Sequence, residues 1–290
     1  MTELYLNISR PRRKFKDSLG HANHFLITAL IGLDYIDNNE NVECPLSFST
    51  SWNPRDKKAS IYRTRLYILN SSLAWAVDCL DSYFSVCNQD PKLIDNIDLI
   101  KDLDKAGRSV NEKLISFSRH ITPIGEMDND FDIYKSIVGL AIQWRNNTIH
   151  SGVDNKLEQE HKDILLASTN RINELFCNLD IKQTLISFEE HKSPTFKEVT
   201  SIIRGIQRFV EVVDSYLTSK IDIDKYASNV ISCHCRQYNI PNKAITSLPI
   251  DKRNSKIINI LKNYSFSETA TTNSSLKIEI DHIVNLWAKQ

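Results

Sequence analysis

The sequence predicts an all-α protein, and three observations support this fold class. Glycine is scarce, with 7 glycines in 290 residues, whereas average usage of about 7% would give roughly 20. Sheet proteins use glycine in tight hairpins and bulges, so the shortage favours long helices joined by few turns. Apolar residues make up 41% and charged residues 25% of the chain, as in ordinary globular proteins. Finally, apolar side chains recur every three or four residues in most segments, as on one face of a helix.

The first region, residues 1–54, is predicted to hold one helix and one loop. Apolar side chains keep helical spacing between Lys14 and Ile36, which predicts a helix that faces the core. They are Phe15, Leu19, Ala22, Leu26, Ala29 and Leu33. We interpret the basic run Arg10–Lys16 as the solvated start of this helix rather than as a phosphate-binding patch. The prolines, serines and asparagines of Asn38–Pro54 predict a connecting loop.

The second region, residues 55–190, begins with the strongest periodic signal of the chain. Apolar side chains at steps of four and three predict one helix of about seven turns. They are Tyr62, Leu66, Leu69, Leu73, Ala76, Leu80, Tyr83 and Cys87. Such a repeat is typical of a seam against another helix, in the same chain or in a partner subunit. Further along, the spacing predicts a helix over Asp98–His120 and a loop over Ile121–Asp130.

Two more helices are predicted in the second region. Apolar spacing predicts a helix over Phe131–Ser151. Gly152 is expected to end it, because a residue just past a helix often needs a left-handed conformation. Asp154 or Asn155 is then expected to cap a helix over Lys156–Phe188.

The third region, residues 191–290, is also predicted to be helical and is a candidate regulatory part. A T-x-x-E capping box at Thr195 precedes a clear amphipathic helix. Shorter helices are predicted near Lys225–Cys235 and Asp251–Tyr264. The segment Leu276–Trp287 combines strand-like alternation with helical spacing, so either structure fits it.

Composition excludes several classes of protein. Lys plus Arg equals Asp plus Glu, at 36 residues each, so no whole-chain field attracts nucleic acid and any RNA contact must be local. The six cysteines lack the spacing of a disulfide framework or of a closed zinc site. The longest apolar stretches fall far below the roughly 18 residues that a membrane span needs. Glycine-rich nucleotide-binding and hydrolase motifs do not occur. We therefore expect a soluble, cytoplasmic protein with no metal, no cofactor and no membrane partner.

One short segment carries the candidate chemistry: RNNTIH, from Arg145 to His150, at the end of a predicted helix. It resembles the active-site motif of HEPN-type ribonucleases, in which an arginine, often followed by asparagine, is separated from a histidine by four to six residues. A bare match of this kind is expected about once by chance in a chain with this many Arg and His residues. The four-residue gap, Asn146 and the position at a helix end make the match more specific.

The resemblance implies a fold and an activity. The fold would be a helical bundle of HEPN type, formed by residues 55–190, with additional helices at both ends. The activity would be metal-independent cleavage of RNA by transesterification. His150 would take the proton from the 2′-hydroxyl, and Arg145 would stabilise the phosphorane with its fixed fork of donors. Asn146, four residues before His150, would orient the imidazole or hold phosphate. The resemblance further suggests a toxin or anti-phage defence role in a microbe.

The geometry of a helix indicates that the proposed site needs a second subunit. Five helical steps of about 100° place Arg145 and His150 roughly 140° apart around the axis and about 7.5 Å apart along it. One straight helix therefore does not bring the two side chains together. In the HEPN family, motif helices from two subunits face each other and line one composite cleft. The resemblance thus implies a homodimer that binds RNA, with an antitoxin or regulatory protein as a further partner.

Three other side chains are assigned a supporting role. They are Asn147 within the motif, and Asp78 and Asp81 on the long periodic helix, because some HEPN nucleases use an acidic residue there. Solvated surface charges are the competing interpretation of both aspartates.

A non-catalytic interpretation of the whole motif also remains open. Arg145 can be a surface ion-pair residue, and His150 can be favoured at a helix end by the helix dipole. The chain would then be a HEPN-like module that binds partners or RNA without cutting. Trp144 continues the apolar helix face, and we assign it to the core rather than to base stacking.

Overall fold

The computed structural model describes residues 2–39, 42–44, 47, 52, 54–121, 129–149, 154–272 and 275–288. Within these ranges the chain forms thirteen helices and three short strands, which confirms the all-α class. The helices are α1 (Arg10–Asn38), α2 (Lys57–Cys87), α3 (Ile97–Ala106), α4 (Val110–His120), α5 (Phe131–Ile149), α6 (Gln159–Ala167), α7 (Thr169–Leu175), α8 (Ile181–Glu189), α9 (Phe196–Lys220), α10 (Ile223–Gln237), α11 (Lys243–Thr246), α12 (Ile250–Asn263) and α13 (Ile280–Trp287). The strands are β1 (Glu3–Leu6), β2 (Phe266–Ser267) and β3 (Leu276–Glu279).

The chain forms two compact units whose segments alternate along the sequence. Unit 1 comprises Met1–Phe15, Asp81–Asp128 and Val210–Gln290. Unit 2 comprises Lys16–Leu80 and Asn129–Phe209. The three regions predicted from the sequence follow chain order instead, and that division stays a prediction, as does the HEPN-type arrangement of the helices.

Unit 1 contains a three-stranded antiparallel sheet in the order β2-β1-β3. In the central strand, Leu4 lies opposite Ile278 and Leu6 lies opposite Leu276. Leu4 and Leu6 are buried while Tyr5 between them is partly exposed, the alternation expected of a strand with one face on the core. At the C-terminus both predicted alternatives occur, because β3 leads directly into α13.

A buried carboxylate ties the start of α1 to α9 inside unit 1. Asp214 accepts hydrogen bonds from the Ser9 backbone N–H at 3.3 Å, from the Ser9 hydroxyl, and from the Tyr83 hydroxyl at 3.4 Å. Ser9 in turn caps α1, since its hydroxyl accepts from the Arg12 backbone N–H at 3.2 Å. Burial raises the pKa of Asp214 above its usual value.

Unit 2 is built around α5, in which 11 of 19 residues are buried. Neighbouring helices approach α5 closely at two glycines. A Cβ added to Gly139 would lie 2.9 Å from the ring of His161 on α6. A Cβ added to Gly205 on α9 would lie 2.5 Å from the Ile137 Cγ2 atom. A side chain at either position would force the neighbouring side chain, or the helix that carries it, to shift.

An ion pair fixes the start of α5. Asp130 directly precedes the helix, and its side chain is only 9% exposed. Arg171 on α7 donates to its carboxylate from Nε at 2.9 Å and from Nη2 at 2.8 Å, a two-pronged arrangement. These hydrogen bonds from Arg171 lower the pKa of Asp130.

The helix predicted over Asp98–His120 is wrong as a single element, because the chain forms α3 and α4 there. Gly107 follows α3 with a φ of 55°, a conformation that glycine adopts without strain. Ser109 then caps α4, and its hydroxyl accepts from the Glu112 backbone N–H at 3.2 Å.

The helix predicted over Lys156–Phe188 is likewise wrong, since three helices, α6 to α8, occupy this segment. Cys177 and Asn178 adopt positive φ values of 53° and 64°, which ends the helical path after α7. The predicted caps are also wrong: Glu158, rather than Asp154 or Asn155, precedes α6, and it makes no side-chain capping bond.

Two other element predictions are confirmed. The long periodic helix is α2, although Tyr62 is 61% exposed and Ile61 takes the inward position at 4%. The capping box is present, because the Thr195 N–H donates to the Glu198 carboxylate at 2.6 Å and the Glu198 N–H donates to Thr195 Oγ1 at 3.3 Å. Gly152 and most of the loop predicted over Ile121–Asp130 lie outside the described residues.

Candidate active site at the end of helix α5

The RNNTIH segment begins where α5 leaves the core of unit 2. Trp144, one residue before it, is 2% exposed. Its indole N–H donates to the Lys192 carbonyl at 3.0 Å, and its ring packs edge-on against Phe188 with centroids 5.9 Å apart. The Arg145 side chain is 22% exposed and Ile149 is 50% exposed. Trp144 therefore packs in the core, as predicted, and the motif residues emerge from it.

Arg145 is held at its outer end by one carboxylate. Its Nη2 atom donates to Asp78 Oδ1 on α2 at 2.7 Å, and its Nη1 atom donates to Asn146 Oδ1 at 3.1 Å. The Nε atom is buried and has no hydrogen-bond partner among the described residues. A guanidinium carries five N–H donors. The contacts with Asp78 and Asn146 thus orient the group and use only part of its donor capacity.

The second acidic residue assigned to the site is engaged elsewhere. Asp81 accepts a hydrogen bond from the Lys113 ammonium at 2.6 Å, within unit 1. The Lys113 side chain is only 10% exposed, so this carboxylate balances a nearly buried charge. Of the two aspartates, Asp78 is the one that contacts the motif.

Asn147 holds a later part of the chain against the last turns of α5. Its Oδ1 atom accepts from the Asn155 backbone N–H at 2.7 Å and from the Asn155 side chain at 3.0 Å. Its Nδ2 atom donates to the Asn155 carbonyl at 3.0 Å. Both ends of the Asn147 amide are therefore used by one residue. His150, the predicted base, falls between the two in sequence and lies outside the described residues.

A cleft of about 350 Å³ adjoins Asn147 within unit 2. The apolar part of its lining includes Leu185 and Phe188, both of which are buried side chains of α8. Such a combination of a concave shape, an apolar base and a few polar groups is typical of small-molecule or nucleotide sites. No local sequence pattern marks this cleft, because its lining comes from separate segments between residues 147 and 191.

The rim of the cleft carries charges of both signs. Lys156 is 83% exposed at its side chain. Lys162 is paired with Glu189, and His191 Nε2 lies 3.6 Å from Asp154 Oδ1. The lysines of the rim are therefore partly balanced by neighbouring carboxylates, and the cleft has no strong field of one sign.

Two further observations describe the chemistry available to the chain. Among the described residues, no group of three or more His, Cys, Asp or Glu side chains is arranged to hold a metal ion. The helices in the same ranges include none with the length and apolar character needed to cross a membrane.

Comparison with known proteins assigns no family to the chain. No protein-family model, no curated protein and no solved structure matches it. The likeness to HEPN ribonucleases thus depends on the RNNTIH segment and its position at a helix end.

Proposed function

We propose that this chain is a metal-independent endoribonuclease that cuts RNA by attack of the 2′-hydroxyl on the neighbouring phosphate. The observation that carries the proposal is the environment of Arg145. Its guanidinium lies at the end of a largely buried helix and is oriented by Asp78 and Asn146. These contacts use one N–H of each terminal nitrogen, which leaves the second N–H of each for a ligand. Preorganised donors of this kind stabilise the charge that develops in a transition state.

The proposed reaction moves one proton and exchanges one P–O bond for another. His150 removes the proton from the 2′-hydroxyl, and the 2′-oxygen forms a bond to phosphorus. Arg145 stabilises the extra negative charge on the phosphorane oxygens. The bond from phosphorus to the 5′-oxygen then breaks, and the imidazolium returns a proton to that oxygen. The products are a 2′,3′-cyclic phosphate and a 5′-hydroxyl end.

We assign the RNA strand to the cleft beside Asn147. An unpaired base would pack on its apolar side, near Phe188, while Lys156 and Lys162 at the rim contact phosphates. Because these cations are few and partly paired, binding would be local and would depend only moderately on salt. The resemblance further suggests a homodimer, a cytoplasmic setting, and a toxin or anti-phage role under the control of an antitoxin or regulatory protein.

One observation favours a second candidate, a non-catalytic module that binds a partner or RNA. Arg145 already has a carboxylate partner in Asp78 at 2.7 Å, as a purely structural arginine would. In that case the pair would contribute to stability and the chain would cut no RNA. The two candidates therefore differ in what removal of the guanidinium changes, which is either the cleavage rate or the melting temperature.

The test incubates purified wild-type, His150→Ala and Arg145→Ala proteins with total RNA in EDTA, followed by mapping of the RNA ends. We expect wild-type protein to leave 2′,3′-cyclic phosphates. Each variant should be slower by at least about 10²-fold, the usual contribution of a general base or a charge-stabilising donor.

Matched control variants exist elsewhere in the chain. Arg236 pairs with Asp90 at side-chain exposures of 70% and 61%, against 22% and 63% for Arg145 and Asp78. Arg236→Ala should therefore retain full activity, as should substitution of the exposed His282 by alanine. Undiminished cleavage by His150→Ala overturns the proposal. An inactive wild-type protein whose melting temperature falls in Arg145→Ala supports the non-catalytic module instead.

A further inference from the structure

Unit 2 exposes an uncharged aromatic groove between α1 and α2. Its volume is about 200 Å³, and none of the described residues that line it carries a charge. Three aromatic side chains border it: Phe25 at 59% exposure, Tyr67 at 71% and Trp75 at 49%. Small side chains, among them Ala22 and Ser71, form part of its lining. Large aromatic groups are rarely left this exposed in a cluster on a monomeric protein.

The outward side of α1 is apolar as well. Ile27, Ile31 and Tyr35 are 51%, 64% and 67% exposed, while Leu26 and Leu33 of the same helix are buried. A helix with apolar side chains on its core face and on its outer face is usually covered on both sides. The second half of α1 thus leaves apolar side chains exposed on the surface of unit 2.

We infer that this α1–α2 surface is the interface through which a second copy of the chain docks. The surface carries both complementary shapes that a two-fold contact needs, namely protruding aromatic rings and a groove with small residues. A cavity of roughly 150 Å³ accepts a benzene-sized ring, so the groove has room for one aromatic side chain of the partner. The formal net charge of the chain is zero, so long-range repulsion does not oppose self-association.

The exposed area matches the centre of a stable dimer interface. At roughly 200 Å² for each fully exposed aromatic ring, Phe25, Tyr67 and Trp75 together offer on the order of 350 Å². A standard interface buries about 800 Å² on each partner, with a few aromatic anchors at its centre. Ile31 and Tyr35 on the outer side of α1 extend the apolar surface beyond the groove.

This interface leads to the candidate active site. Tyr67, Ser71, Trp75 and Asp78 follow one another at steps of four, four and three along α2, so they lie on one side of the helix. Asp78 at the end of this row holds Arg145. A second copy on the aromatic groove would therefore lie beside the motif. This inference rests on the proposed function only in its consequence for catalysis, where the sequence spacing of Arg145 and His150 predicts that a second subunit completes the site.

The test measures self-association by sedimentation equilibrium and RNA cleavage on the same samples. We expect wild-type protein to be dimeric at micromolar concentration. Tyr67→Lys and Trp75→Lys should each raise the dissociation constant by at least about 30-fold, as loss of a central aromatic anchor does. Tyr238→Lys is the matched control, because Tyr238 is 59% exposed and does not line the groove, and it should remain dimeric. Far-UV circular dichroism and melting temperature confirm that each variant is folded.

The outcomes separate this inference from the proposed function. A wild-type monomer at 100 μM or above, or a dimer that survives both groove substitutions, overturns the interface. If the wild-type chain cuts RNA as a monomer, the interface and the composite cleft fail, while the ribonuclease activity stands. If it dimerises through the groove and cuts no RNA, only the ribonuclease proposal fails. Should Trp75→Lys be unfolded, Tyr67→Lys decides the question, because a side chain that is 71% exposed contributes little to the fold of a monomer.

Discussion

The two ends of α5 each carry an Arg–Asp pair, and the two pairs are built in opposite ways. At the start of the helix the carboxylate is shielded: Asp130 is 9% exposed and Arg171 is 50% exposed. At the end the guanidinium is shielded: Arg145 is 22% exposed and Asp78 is 63% exposed. Arg171 gives Asp130 two hydrogen bonds, whereas Arg145 gives Asp78 one.

This difference separates a structural pair from a candidate functional one. The bond pattern at Asp130 satisfies a nearly buried carboxylate, which would be costly to leave alone. At Arg145, the partner carboxylate of Asp78 lies in water and orients the guanidinium, whose Nε has no partner among the described residues. The first pair should therefore matter for stability and the second for chemistry, a division that substitutions at each end can test.

The largest expected effect is that of Arg145→Lys on cleavage. Lysine can keep the contact with Asp78, but it cannot present a planar fork of donors to a phosphorane. We expect cleavage to fall by about 10²-fold, while the melting temperature changes by less than about 2 °C, because lysine keeps the positive charge and its partner Asp78 is 63% exposed. Initial rates on a defined RNA and a thermal melt check both values. Retention of more than half of the wild-type rate would show that charge alone suffices at this position.

Arg171→Ala should show the reverse behaviour. It removes both charged hydrogen bonds to the nearly buried Asp130, and we expect a lower free energy of unfolding, although the loss stays below that of a fully buried pair because Arg171 is half exposed. Urea denaturation measures this loss. Cleavage per folded molecule should stay at the wild-type level. A catalytic defect in a fully folded Arg171→Ala protein would contradict the division between the two ends.

The sequence predicted the motif end of α5 better than its partners. Helical spacing and the RNNTIH residues were enough to place Arg145 at an emerging helix end and Trp144 in the core. They could not decide between Asp78 and Asp81. A step of three residues turns a helix by about 300°, so the two side chains lie on nearly the same side of α2. Only tertiary packing determines which carboxylate meets Arg145. The pairing of Asn147 with Asn155 is likewise a tertiary contact.

The break between α7 and α8 was hidden for a different reason. Cys177 and Asn178 adopt positive φ without any glycine or proline to mark them. In contrast, Gly107 marks the break after α3 in the sequence. The apolar periodicity on either side of it nevertheless predicted one continuous helix. The strand β1 has four residues, too few to show a period of two.

Gly205→Ala tests whether packing along the middle of α5 acts only on stability. The added methyl group would lie 2.5 Å from Ile137, so α9 or α5 must shift. We expect a loss of about 1.5 kcal/mol, within the usual range for overpacking, and unchanged cleavage per folded molecule. Gly20→Ala is the matched control, because nothing lies within 4 Å of its added Cβ. That control should stabilise α1 slightly, since alanine favours a helix more than glycine does. Equal stability of the two variants would contradict the close approach of α9 to α5.

The smallest expected effect is on the pH dependence of stability, where Asp130 and Asp214 should act in opposite directions. Arg171 lowers the pKa of Asp130 in the folded protein, so its stabilisation is present above the unfolded pKa of about 3.9 and is lost as pH falls through the folded value. Burial raises the pKa of Asp214, so its contribution is fully present below about pH 3.9 and is lost as pH rises through the raised value. Urea denaturation from pH 3 to pH 7 should therefore show a shallower acid loss of stability in Asp130→Asn than in the wild type, and a steeper one in Asp214→Asn. Identical slopes for the two variants would mean that the two carboxylates do not differ in their folded environments.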